Sequence, residues 1–174
     1  MHKIFTLWKD SHWLWFTAFA MTSMSLQAQS IIPATVGESL SGKRIVIADA
    51  MHGHTSILVM GFSKDGGMRC GDWVKMIHAD SGLNGVVVYQ ASMLEGAPAL
   101  IRPTIKSAMR KGMSMAEQDS FVVLIQDQNL WRTYFGVAND KEPYVVLMDA
   151  AGQVRWHGHG DAKYLEPLLK AALQ

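Results

Sequence analysis

Apolar, β-branched runs alternate along the chain with segments whose apolar positions recur every three or four residues, the pattern of strands interleaved with helices. Residues 44–48 and 56–62 read as two strands joined by a hairpin loop at 51–55. The second holds Ile57, Leu58, Val59 and Met60 without a polar break, which predicts burial on both faces and an interior place in a sheet. A glycine-rich loop is expected at 63–71, followed by a helix with Trp73, Met76 and Ile77 on one face. Residues 86–89 form the next strand. In 101–113, Pro103 suits a first helical turn, and Ile101, Ile105, Ala108 and Met109 follow at helical spacing. A strand at 121–125 leads into a short helix through Leu130, Trp131 and Tyr134. Strands at 144–148 and 154–156 then meet at the turn Asp149-Ala150-Ala151-Gly152. Residues 161–173 make a last helix that Pro167 is expected to interrupt and reset. Residues 31–38 read as an extended lead-in. The order predicts an α/β domain: a mixed β-sheet flanked by helices, with an N-terminal β-hairpin.

The first 28 residues do not follow this pattern. Lys3 and Lys9 give a basic start, Trp13 to Met24 is an apolar run, and Ser25-Leu26-Gln27-Ala28 offers a cleavage site after Ala28. The apolar run falls short of the roughly 20 residues that span a bilayer. The segment has no Arg, unlike a mitochondrial presequence. It reads as a signal peptide, residues 1–28, ahead of one domain at 29–174. The expectation is an exported, periplasmic protein with no stable membrane span after cleavage.

Composition narrows the rest. At 174 residues, with 49% hydrophobic and 18% charged, the chain suits one domain with a sizeable core. A net charge of +1 and no basic cluster set nucleic acid aside as a partner. Cys70 is the one cysteine, so there is no internal disulfide, and stability must come from the core.

Three tracts resemble the thioredoxin-like superfamily, particularly its exported and peroxiredoxin-like branches. Residues 121–127 with Tyr134-Phe135-Gly136-Val137 are similar to the segment that precedes the superfamily's cis-proline. Glu142-Pro143 and the following 144–156 resemble that proline with the last two strands, and 56–70 resembles the central strand and active-site loop. Counted from Phe62, the superfamily's Cys-x-x-Cys falls on Gly67-Met68-Arg69-Cys70, so glycine stands where the attacking cysteine belongs. Dithiol exchange needs both sulfurs and is excluded for the chain acting alone. Within the superfamily, Asp127 to Arg132 together with the two closing strands is similar to the ATP10-type proteins. These lack the redox pair and assist ATP synthase assembly in mitochondria; the resemblance transfers no substrate here.

Four constellations carry candidate chemistry. If the resemblance holds, Cys70 lies at a helix start beside Arg69, where dipole and guanidinium favour a thiolate, as in a one-cysteine peroxidase. Against this, Gly67 replaces the Thr such enzymes carry, and a small buried apolar residue explains Cys70 as well. His52/His54 and His157/His159 have metal-ligand spacing but are expected at opposite poles of the sheet. Cys70, His157 and His159 could converge on copper or zinc, although the 12 Met residues mostly fill apolar positions and read as core. Finally, Pro143, Tyr144 and Trp131, with Trp156 and Arg155 at the border, would line a groove that takes an extended partner segment. The reading is a non-dithiol, protein-binding factor for assembly or maturation of another envelope protein, needing no cofactor. The alternatives are a peroxidase centred on Cys70 or a copper or zinc handler using Cys70, His157 and His159.

Overall fold

A computed structural model describes residues 31–173. The expected signal peptide and its cleavage site lie outside the described residues. Seven strands form one mixed sheet in the order β2-β1-β5-β4-β3-β6-β7. They are β1 (Val36–Ser39), β2 (Arg44–Val46), β3 (Ser56–Gly61), β4 (Val87–Met93), β5 (Phe121–Leu124), β6 (Pro143–Met148) and β7 (Val154–His159). Strands β3, β4 and β5 run parallel, while β6, β7 and the β1–β2 pair are antiparallel to their neighbours. The helices are α1 (Ile47–Met51), α2 (Lys64–Ala79), α3 (Arg102–Arg110), α4 (Met115–Ser120), α5 (Gln128–Phe135) and α6 (Ala162–Ala171).

Every residue of β3 and β6 is buried, as the unbroken apolar run at 57–60 requires. Alternation along these strands splits the core. Leu58, Met60, Tyr144 and Val146 pack with Met51, Trp131 and Phe135 under α1 and α5. Ile57, Val59, Val145 and Leu147 pack with Cys70, Trp73 and Leu169 under α2 and α6. On that second face the far end of the sheet has its own small cluster, in which Leu40, Phe121 and Val123 meet Met109 and Met113.

Four expectations need correction. The lead-in at 31–38 ends in strand β1, which pairs with β2 and β5, so the N-terminal hairpin is formed one strand earlier than its pattern indicated. Residues 47 and 48 leave the strand and start α1, and the loop at 51–55 joins α1 to β3. Three strands separate β2 from β3 in the sheet, so those two form no hairpin.

The glycine-rich stretch at 63–71 is the first half of α2. Ser63 caps it, its hydroxyl accepting the Gly66 N–H at 3.1 Å and donating to the Asp140 carbonyl at 2.8 Å. The glycines serve close approach: a Cβ on Gly61 would lie 2.7 Å from the Gly67 nitrogen, and one on Gly66 would lie 2.7 Å from the Asp140 carbonyl. Pro167 sits inside an unbroken α6. Helix α4, closed by a Ser114–Glu117 capping box, is an element additional to those expected.

Candidate functional site

The parallel strands β3, β4 and β5 end on the same side of the molecule, where β3 hands over to α2 and the 139–142 turn leads into β6. Ligand sites in open α/β sheets gather at such carboxyl ends. Two features occupy this region: the outer surface of α2 beside the 139–142 turn, and a cavity of about 830 Å³ between α2 and α3.

Cys70 lies in the second turn of α2 and faces inward, with no exposed surface, among Trp73, Val59 and Leu147. Burial pushes its thiol up from 9.0 to about 12, outweighing the opposing backbone hydrogen bond. It is therefore a neutral, enclosed side chain and has none of the access or thiolate character of a peroxide-reactive cysteine. Arg69 points outward, half exposed, and reaches Asp161 at 3.6 Å.

His157 and His159 alternate on the exposed side of β7. Register places His159 opposite Tyr144, and its ring stacks on that of Tyr144 with centroids 5.3 Å apart. Cys70 packs with Trp156 and Leu147 on the other side of the sheet, so the sulfur and these two imidazoles do not converge. His52 lies beside Gly152 in the β6–β7 turn, at the end of β6 away from His159, as the separation of the two His pairs required. Among the described residues no three His, Cys, Asp or Glu side chains form a group able to hold an ion.

The expected groove residues are core. Pro143 is buried at the start of β6, opposite Gly61. The Tyr144 hydroxyl donates to the Asn139 carbonyl at 3.1 Å and holds the preceding turn. Trp131 is fully buried; its Nε1–H donates to the Thr35 hydroxyl at 2.9 Å, which in turn donates to the Asp127 carboxylate at 2.9 Å. Trp156 is partly buried against Trp73, and Arg155 is exposed near Asp149 at 3.9 Å.

What the surface presents beside Pro143 is different: Met68, 62% exposed, with Lys64, Asp65 and Arg69 on α2 and Lys141 and Glu142 on the turn. Glu142 accepts from His159 at 2.6 Å or shares its proton, and this contact is the main reason its carboxyl is held below the usual range. The pair ties the turn to the end of β7.

The cavity was not foreseen. Its walls come from β3–α2 (Phe62, Lys64, Met68), β4 (Gln90, Ser92, Met93), α3 (Ile105, Met109) and α5 (Gln128, Arg132). No local pattern links residues so far apart. The one local signal is Ser92, a hydroxyl between Ala91 and Met93 in a strand that runs on to Met93, past the expected end at residue 89.

Comparison with known proteins gives three results. The sequence profile described as "ATP10 protein" matches residues 19–171. No curated protein matches. Among solved structures, the chain is similar to the pneumococcal exposed lipoprotein thioredoxin Etrx1 of Streptococcus pneumoniae, at 15% identity and a TM-score of 0.50, covering 78% of this chain and 97% of that one. It is similar to a thioredoxin-family thiol:disulfide interchange protein of Chlorobium tepidum, at 18% identity and 0.50, covering 82% and 94%. It also resembles BsSco, a member of the Sco family of cytochrome c oxidase assembly proteins, at 13% identity and 0.50, covering 79% and 91%. At these identities the likeness establishes a thioredoxin-like fold and nothing more.

Proposed function

The chain belongs to the ATP10 protein family, and from that membership we propose that it is an exported assembly or maturation factor that binds another envelope protein without thiol chemistry. One observation carries the reading. At the corner where a thioredoxin-like fold exposes its redox centre, the sole thiol of this chain is sealed in the core and raised to about 12. The same corner still presents Met68 among charged side chains, a composition suited to protein contact. That BsSco, of the same fold, is named as a member of a family of cytochrome c oxidase assembly proteins supports an assembly role. Export is supported by the pattern of residues 1–28 and by similarity to a surface-exposed lipoprotein.

The test is complementation of a strain lacking the gene, scored by assembly of membrane complexes. Cys70→Ala should complement, whereas Met68→Asp combined with Lys141→Glu should not, with both variants folded by circular dichroism. Failure of Cys70→Ala in a folded state, or turnover of peroxide or a protein disulfide by the purified chain, would return the function to the sulfur.

A further inference from the structure

The cavity between α2 and α3 is a separate matter from the outer surface of α2. Its floor is the sheet itself. Gln90 and Ser92 share a face of β4 with Phe121 of the neighbouring β5, and the register places Gln90 beside Phe121 and Ser92 beside Val123. On either side of this strip the sheet is covered, by α2 and α6 in one cluster and by Met109 and Met113 in the other. The strip between them borders the cavity because α3 buries no residue fully and reaches the sheet through the partly buried Met109.

Two properties set this space apart from a packing gap. The first is a hydroxyl in the floor that faces the space. Ser92 is only 4% exposed, lines the cavity, and its hydroxyl is the nearest atom to the open side of Gly67, 4.0 Å from where a Cβ would stand. Among the described residues that hydroxyl makes no side-chain hydrogen bond, so it is available to an occupant of the cavity. The second is an excess of positive charge at the rim. Lys64 opens α2, where the helix dipole is also positive. Arg132 lies over the Phe62 ring at 5.8 Å. Neither has an acidic partner among the described residues. Asp140 is the one acidic wall residue, so the wall carries two cationic side chains against one carboxylate. The remaining wall is apolar and rich in methionine, which adapts to irregular occupants.

We propose that this cavity binds a small amphipathic carboxylate. Its hydrocarbon body lies against Ile105, Met109 and Phe121, its head faces Lys64 and Arg132, and the Ser92 hydroxyl donates to it. The site does not depend on the family role; it shares Lys64 and Met68 with the outer surface of α2, but Ser92 and Ile105 belong to the cavity alone, so variants there test it without touching the proposed contact surface.

The probe is dodecanoate, titrated calorimetrically into the purified protein below its micellar concentration, with dodecanol as the uncharged control. Dodecanoate should bind one to one, and dodecanol at least about tenfold more weakly. Ser92→Ala should weaken dodecanoate binding about five- to tenfold while leaving the melting temperature of the free protein unchanged or raised, because that hydroxyl makes no internal bond. Ile105→Trp, on a helix with no buried residue, should fill the space and abolish binding without unfolding the chain. Absence of saturable binding overturns the proposal. So does equal binding of acid and alcohol, or binding that survives Ile105→Trp.

Discussion

Cys70 shows how position overrides residue type. The same sulfur at the mouth of the corner would be a nucleophile, but one helical turn further in it is a packing atom, and burial raises its thiol to about 12. Alkylation by a small maleimide should therefore be negligible from pH 6 to 9 and should appear at the rate of global unfolding; fast labelling of the native protein would contradict the burial. The linkage has a definite sign. Below the ordinary thiol value near 9.0 both states hold the proton, while between 9.0 and about 12 the unfolded chain ionises first, so stability falls as pH rises through that window. Thr35 is the opposite case, a polar residue whose burial is fully used. It accepts from the Trp131 indole and donates to Asp127, which sits at a left-handed φ of 64° as the residue before α5. Thr35→Val keeps the volume but leaves a buried N–H without a partner, and should destabilise by about 1–3 kcal/mol in a denaturant titration. A loss under about 0.5 kcal/mol would mean that water or another acceptor replaces the hydroxyl.

At the scale of elements, the legible pieces were those in which one physical cause dominates. An apolar run with no polar break has to be an interior strand, and β3 is one. Pro103 lies in the first turn of α3, where its missing N–H costs nothing. The misread pieces are those in which tertiary contacts outvote local preference. Glycine at 66 and 67 weakens a helix by about 1 kcal/mol per residue, and by that measure the stretch after Phe62 is a loop. The Ser63 cap, the 2.7 Å approaches at Gly61 and Gly66, and the anchors Trp73 and Ile77 make it helix nonetheless. Pro167 repeats the lesson in α6. Its ring removes a backbone hydrogen bond, yet Leu169 is fully buried beyond it, and Lys170 is paired with Asp80 and with Glu166, the latter at 2.8 Å. Because Pro167 is exposed and contributes no core contact, Pro167→Ala should stabilise the protein by about 1–3 kcal/mol, measured as a rise in melting temperature. A fall would show that the proline sets a bend on which the Leu169 and Lys170 contacts depend.

At the scale of the molecule, anchoring is uneven, and the unevenness explains why the fold could be read and the site could not. Strands β3 and β6 are buried on both faces and paired on both edges; their apolar runs are visible in the chain and they fix the architecture. Tyr144, Pro143 and Trp131 were legible as apolar and aromatic, but sequence cannot distinguish an aromatic lining a groove from one filling a core, and here all three fill it. The cavity depends instead on what is missing: α3 contributes no fully buried side chain, packs through the partly buried Met109, and is otherwise held at its margins. Arg102 donates to the Ala97 and Glu95 carbonyls at 2.9 and 3.0 Å, Lys106 pairs with Glu38 at 2.5 Å, and Arg110 reaches the Leu40 carbonyl at 2.5 Å. Contacts at or near solvent are worth little individually, so α3 should open locally at a free energy well below that of global unfolding. Hydrogen exchange should then show the amides of 102–110 exchanging orders of magnitude faster than those of β3 and β6, and neutralising Lys106 or Arg110 should accelerate α3 while leaving the central strands unchanged. Equal protection of α3 and β3 would mean that the helix opens only with the whole sheet. In that case the cavity beneath it is a rigid feature of the fold, enclosed by a wall as stable as its floor.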